Sequence, residues 1–152
     1  DLPATLENRW FDGPTIRMNE LLDAFQAFWR ENSEAWINRF QYREAAPHLI
    51  LQAFLQRVLN GGAKLHREFA TGTRRVDLCV EYGANRYPLE LKLLRNDKTL
   101  DDGLAQLADY MDKMACTEGW LILFDQSQKA WDEKIYRRTE TRDRHTIHVV
   151  GC

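Results

Sequence analysis

The stretch Arg74-Arg75-Val76-Asp77-Leu78-Cys79-Val80-Glu81 is answered, across Gly83-Ala84-Asn85-Arg86, by Tyr87-Pro88-Leu89-Glu90-Leu91-Lys92-Leu93-Leu94. Two alternating runs flanking a turn-like tetrapeptide read as a β-hairpin. With the turn centred between Ala84 and Asn85, Asp77 faces Lys92 and Cys79 faces Glu90. Opposite residues in a strand pair point the same way. All four therefore share one face, taken as the wet one, and Asp77 and Glu90 become diagonal neighbours roughly 7–8 Å apart. The apolar set Val76, Leu78, Val80, Leu89, Leu91 and Leu93 takes the other face. A one-residue slip without a bulge would split the charged group. Two carboxylates and a lysine on one face suit metal-assisted phosphodiester hydrolysis. Mg²⁺ prefers oxygen ligands and keeps most of its waters, so Asp77 and Glu90 suffice as the metal-binding side chains. Lys92 is suited to orienting or deprotonating the attacking water and offsetting transition-state charge.

Around this hairpin the chain reads as an α/β domain. The segment from Asp1 to Thr15 is expected to be irregular. Met18, Leu21, Leu22, Phe25, Phe28 and Trp29 recur at helical spacing from Ile16 to about Arg30. Asn32-Ser33 interrupts, and Trp36, Ile37 and Phe40 suggest a short second helix. This aromatic arm, residues 1–42, needs a surface to cover: the core domain, a second copy in a homodimer, or a domain outside this stretch. A helix from Arg43 to Asn60 follows, with Pro47 in its first turn, Leu49, Ile50, Ala53, Phe54 and Val58 inward, and Gly61-Gly62 ending it. Ala63 to Ala70 is expected as a strand with Leu65 and Phe69 on one face, His66 and Glu68 on the other.

After the hairpin, Thr99 is the expected N-cap of a helix, with Asp102 completing a capping box. Its apolar stripe is Leu100, Leu104, Leu107, Met111 and Met114. Trp120 to Phe124 is wholly apolar, as in a buried strand parallel to its neighbour. Residues 126–130 read as loop, and Lys134–Glu140 with His145–Val150 as a closing hairpin.

Asp77, thirteen residues back from Glu90-Leu91-Lys92, resembles the D…(D/E)-x-K signature of the PD-(D/E)XK nuclease superfamily. Gln106-Leu107-Ala108-Asp109-Tyr110 is similar to the Q-x-x-x-Y motif of its RecB-type members. The Pro of "PD" is replaced by Val76. More narrowly, these stretches resemble nuclease-like domains attached to AAA-type ATPases in uncharacterised prokaryotic proteins. The resemblance implies a nuclease-like domain over residues 43–152, whose restriction-endonuclease-like core runs from about Arg43 to Asp125 (a helix, a three-stranded antiparallel meander, a helix and a further strand in a mixed sheet), with an N-terminal helical arm before it and a C-terminal hairpin after it. It implies Asp77, Glu90 and Lys92 as catalytic residues, Gln106 and Tyr110 holding the site or substrate, and Glu44 (with Glu68 as rival) as the acidic residue of the first helix. It also implies Mg²⁺ or Mn²⁺, a nucleic-acid substrate with DNA preferred, and an ATPase outside this stretch. The alternative is an inert nuclease-fold module serving such an ATPase.

Composition is compatible with either. At 152 residues the chain is one domain's worth, and the hydrophobic 44% can form a core. The net charge of -2 gives no global attraction to phosphates, so binding needs a local patch. Arg74, Arg75, Arg86, Arg95 and Lys98 lie near the hairpin in sequence. Arg137, Arg138, Arg142 and Arg144 are interleaved with Glu140 and Asp143, as solvated charge is. The start at Asp1 rather than Met reads as a piece of a longer chain. With neither a signal-peptide pattern nor an apolar run near ~20 residues, no membrane association and a cytoplasmic location are expected. The cysteines Cys79, Cys116 and Cys152 are widely spaced, which suits a reducing compartment without structural zinc. The four histidines show no ligand spacing.

Overall fold

The computed structural model describes residues 9–39, 46–71 and 74–152. Among these, the order is β1 (Phe11–Asp12), β2 (Thr15–Ile16), α1 (Met18–Arg39), α2 (Ala46–Val58), β3 (Lys64–Thr71), β4 (Arg74–Tyr82), β5 (Asn85–Leu93), α3 (Lys98–Met114), β6 (Glu118–Phe124), α4 (Trp131–Lys134), β7 (Tyr136–Arg142) and β8 (His145–Gly151). The architecture is mixed α/β. β1 and β2 form a small antiparallel sheet, and the other strands form a six-stranded sheet in the order β3-β4-β5-β6-β8-β7. No helix among the described residues is long and apolar enough to cross a membrane. The chain divides into two compact units. One runs through Leu65 and includes the hairpin tip Glu81–Arg86; the other comprises His66–Val80 and Tyr87–Cys152.

The first unit differs from expectation in three places. The lead-in is not irregular throughout: Gly13, at φ +57, turns the chain so that Phe11 pairs with Ile16 and Asp12 with Thr15. This small hairpin grips the tip of the longer one. The Tyr82 hydroxyl donates to Gly13 O (3.2 Å), the Asn85 amide to Pro14 O (2.7 Å), and the Phe11 and Tyr82 rings lie 4.8 Å apart. Next, α1 is one helix where a break at Asn32-Ser33 was expected. Asn32 donates its side-chain amide to Phe28 O one turn back (2.9 Å), and Ser33 is buried. The helix thus satisfies Asn32 locally instead of ending there.

The third difference is the face of α2. Leu51 and Leu55 are buried with Ile50, whereas Leu49 is 50% exposed and Ala53 is exposed. The continuous run Leu49-Ile50-Leu51 leaves helical phase undetermined. The spacing 51–55–59, with Leu59 also buried, settles it. Phe54 packs edge-on to Phe25 (5.3 Å) and beside Phe28 (5.4 Å). Phe25 and Trp29 are buried within this cluster, so these two aromatic residues of the arm are already covered.

In the second unit, β6 lies parallel to both β5 and β8, as its apolar run requires, with Glu90 beside Leu121 and Leu121 beside Val149. β7 closes the edge antiparallel to β8. α3 buries Leu104, Leu107 and Met111 against Leu121, Leu123, Ile147 and Val149. Its expected start shifts. Lys98 begins the helix, and the Thr99 hydroxyl turns back to accept from the Arg95 and Asn96 amides (3.2 and 3.3 Å). Asn96 Oδ1 takes the Lys98 amide instead (2.9 Å). Those loop amides would otherwise be left unpaired beside a buried threonine, so the hydroxyl is used there and not as a cap.

Candidate functional site

β4 ends at Tyr82 and β5 begins at Asn85, so the turn is Gly83-Ala84, with Gly83 at φ +58. Glycine at the first central position is what a tight type II′ hairpin turn uses. The expected four-residue turn Gly83–Arg86 is thereby corrected to two residues. The face is corrected too. Glu90 is only 4% exposed and Cys79 is fully buried, as are Val80 and Leu89 behind them. α3 covers Cys79 through Tyr110, and Glu90 is shut off from water, whereas Asp77 and Lys92 stay half-buried. Val76 joins Cys79 in the cluster under that helix, although the two are an odd three residues apart. Strict alternation therefore does not run through Asp77.

What joins the carboxylates is more specific than parity. The Leu91 amide donates to Asp77 Oδ2 at 2.8 Å. This bond ties Asp77 to β5. The Asp77 and Glu90 carboxyl groups are in hydrogen-bond contact. Burial, then the Asp77 hydrogen bond, then the Asp77 charge push the Glu90 carboxyl up to about 9 from its ordinary 4.5. Lys92 and the Leu91 amide act in the opposite direction without cancelling this. At neutral pH Glu90 therefore keeps a proton. Two carboxylates can share a desolvated site only if one is neutral or a cation joins them.

Lys92 is half-buried, and its stem lies under α3 at Gly103. A Cβ built on that glycine would stand 3.4 Å from Lys92 Cγ. Gln106 and Tyr110 part company despite their helical spacing. Gln106 is exposed, whereas Tyr110 is fully buried with its hydroxyl 3.8 Å from Cys79 Sγ. Tyr110 packs against Cys79 of β4; Gln106 is the one of the pair that solvent can reach. Tyr110→Phe keeps the buried ring and should cost little by comparison, roughly 1 kcal/mol for the lost hydroxyl. Tyr110→Ala should cost about 3–5 kcal/mol by leaving a cavity. Urea denaturation of both variants checks this contrast.

Glu44 lies outside the described residues. Its rival Glu68 falls on β3. Among the described residues no group of three His, Cys, Asp or Glu gathers as a metal site. Any ion here would rest on the Asp77–Glu90 pair with water completing its shell, which is how Mg²⁺ is commonly held. The hard oxygen donors, and the negative charge that only a proton or cation can offset, fit such an ion. The C-terminal arginines are partly neutralised: Arg138 pairs with Glu140 (2.9 Å) and Arg142 approaches Asp101 on α3 (3.6 Å). Arg75, Arg86, Arg95 and Lys98 are exposed. Two histidines are tied into the sheet: His148 to Glu118 (2.6 Å) and His145 Nδ1 to Cys116 O (3.1 Å). All three cysteines are free thiols.

Nothing in the sequence marks the Leu91 amide, since almost any residue supplies one. Gly103 did leave a signal, a glycine inside a strongly periodic helix. No curated protein and no solved structure matches the chain. A family model, described as a domain of unknown function (DUF8371), matches residues 17–128, which takes in the hairpin, α3 and β6. The chain therefore belongs to the DUF8371 family.

Proposed function

We propose that this protein is a divalent-metal-dependent nuclease of the PD-(D/E)XK type, hydrolysing phosphodiester bonds in DNA. The observation that carries the reading is the contact between Asp77 and the buried Glu90, with Lys92 two residues beyond Glu90 on the same strand. The strand order β3-β4-β5-β6, with α3 between β5 and β6, supports the restriction-endonuclease-like core. Mg²⁺ or Mn²⁺ held by Asp77 and Glu90 would polarise the scissile phosphoryl oxygen and acidify a bound water.

The chain's own residues prepare that step. The Leu91 amide orients Asp77, leaving its other oxygen for the ion. Asp77 and Glu90 would hold the cation, whose charge would stand in for the proton that Glu90 otherwise keeps. Lys92 holds the attacking water near the carboxylates and offsets charge in the transition state. Gln106, exposed on α3, is placed to contact the substrate. The exposed cations Arg75, Arg86, Arg95 and Lys98 supply a source of phosphate contacts, which would make binding salt-sensitive.

The test is cleavage of plasmid and single-stranded DNA with Mg²⁺ or Mn²⁺. Lys92→Ala should lower the rate by roughly 100-fold or more, and chelation should abolish it. Cleavage surviving both changes would overturn the mechanism. Absence of divalent-ion binding by calorimetry would instead favour an inert module within a larger AAA-type ATPase.

A further inference from the structure

Gly103 lies in the middle of α3, where glycine costs about 1 kcal/mol relative to alanine. It does not adopt a positive φ, so the backbone does not require it. Packing does. A Cβ at Gly103 would meet Leu121 Cδ1 at 2.8 Å, Leu121 Cδ2 at 3.0 Å and Lys92 Cγ at 3.4 Å. Leu121 is fully buried among Leu104, Leu107 and Val149, and in the sheet it stands directly beside Glu90. A side chain displaced in such a close-packed region passes its shift to its neighbours.

We infer that Gly103 is a positioning residue for Lys92: its missing side chain lets α3 lie close enough to β5 and β6 to hold the lysine stem beside Asp77 and Glu90. The inference rests on the role proposed for Lys92. Gly119 provides an internal control. A Cβ there would meet Met111 Sδ at 2.7 Å and Leu107 at 3.3 Å, so the same helix approaches the same sheet closely at a second point. Met111 is eight residues from Gly103, about 12 Å along the helix, and the atoms nearest a Cβ at Gly119 belong to Met111 and Leu107.

The experiment compares Gly103→Ala with Gly119→Ala in the whole chain. The readouts are the ¹³C resonance of reductively dimethylated Lys92 at one fixed pH, assigned with Lys92→Arg, and steady-state cleavage with Mg²⁺. Gly103→Ala should move the Lys92 resonance and lower kcat roughly 10-fold with KM little changed, as expected of a small misplacement of a reacting group. Gly119→Ala should leave the Lys92 resonance in place whatever its effect on stability. An unmoved resonance in Gly103→Ala, or an equal shift in Gly119→Ala, would overturn the inference. If Gly103→Ala does not fold, Gly103→Ala with Leu121→Ala removes both leucine clashes and keeps the lysine contact. Its Lys92 resonance must then differ from that of Leu121→Ala alone. Should the wild-type protein neither bind Mg²⁺ nor cleave DNA, the nuclease reading fails, while the Lys92 resonance still decides the role of Gly103.

Discussion

Replacing Asp77 with asparagine should abolish metal-dependent cleavage while making the metal-free protein more stable at pH 8. The two effects have one cause. Asp77, half-buried, contributes both a hydrogen bond and a negative charge that raise the carboxyl of the buried Glu90. Asparagine keeps an oxygen for the Leu91 amide, so the backbone bond that fixes this position survives. It removes the charge that Glu90 must otherwise avoid by holding a proton. The metal-free fold should gain about 1 kcal/mol, in the manner of sites where function is kept at the expense of stability. Cleavage should fall by roughly 100-fold or more, as when a group stabilising developing charge is lost. Thermal unfolding with chelator and a plasmid-nicking assay read the two quantities on one preparation. Retention of more than a tenth of the activity, or a marked loss of stability, would identify the pair as structural.

Metal-free protein should lose stability steadily as pH rises from about 5 to 9, and Mg²⁺ should restore it. Below the ordinary carboxyl value of 4.5 both the folded and the unfolded chain hold the Glu90 proton, and stability is at its fullest. Between 4.5 and about 9 the unfolded chain has released the proton and the folded chain has not, so each rise in pH favours unfolding. Above that range both are ionised and the loss is complete. Each pKa unit corresponds to about 1.4 kcal/mol. Across the window the loss is on the order of a few kcal/mol, or roughly 5–10 °C in Tm. Glu90→Gln should flatten the profile because it cannot ionise. Cation binding must expel the proton, so Mg²⁺ affinity should rise tenfold or so per pH unit around neutrality. A Tm with no downward slope between pH 5 and 9, or one that Mg²⁺ leaves unchanged, would remove the charge-sharing account of this pair.

Much of the secondary structure was legible because local pattern and tertiary environment agree. Trp120 to Phe124 is apolar at every position, and only a strand buried on both faces suits that. The α3 stripe from Leu100 to Met114 fits one helical face and no strand. Where local pattern was degenerate, expectation failed. Leu49-Ile50-Leu51 fits two phases of a helix, and Asn32-Ser33 is a helix breaker only when no carbonyl four residues back is available to its amide. Thr99 carries the chemistry of an N-cap and spends it on a different pair of amides.

For the candidate site, sequence by itself named the members: Asp77, Glu90 and Lys92 fall on two strands that a glycine-containing turn joins. The tertiary structure decided the condition of those members. α3 covers Cys79 through Tyr110, Glu90 is shut off from water, and desolvation then turns Glu90 from an ordinary acid into one that keeps its proton. The same helix separates Gln106, at the surface, from Tyr110, in the core. Burial, and with it electrostatic strength, depends on what lies above a strand, and no local pattern within the strand specifies that.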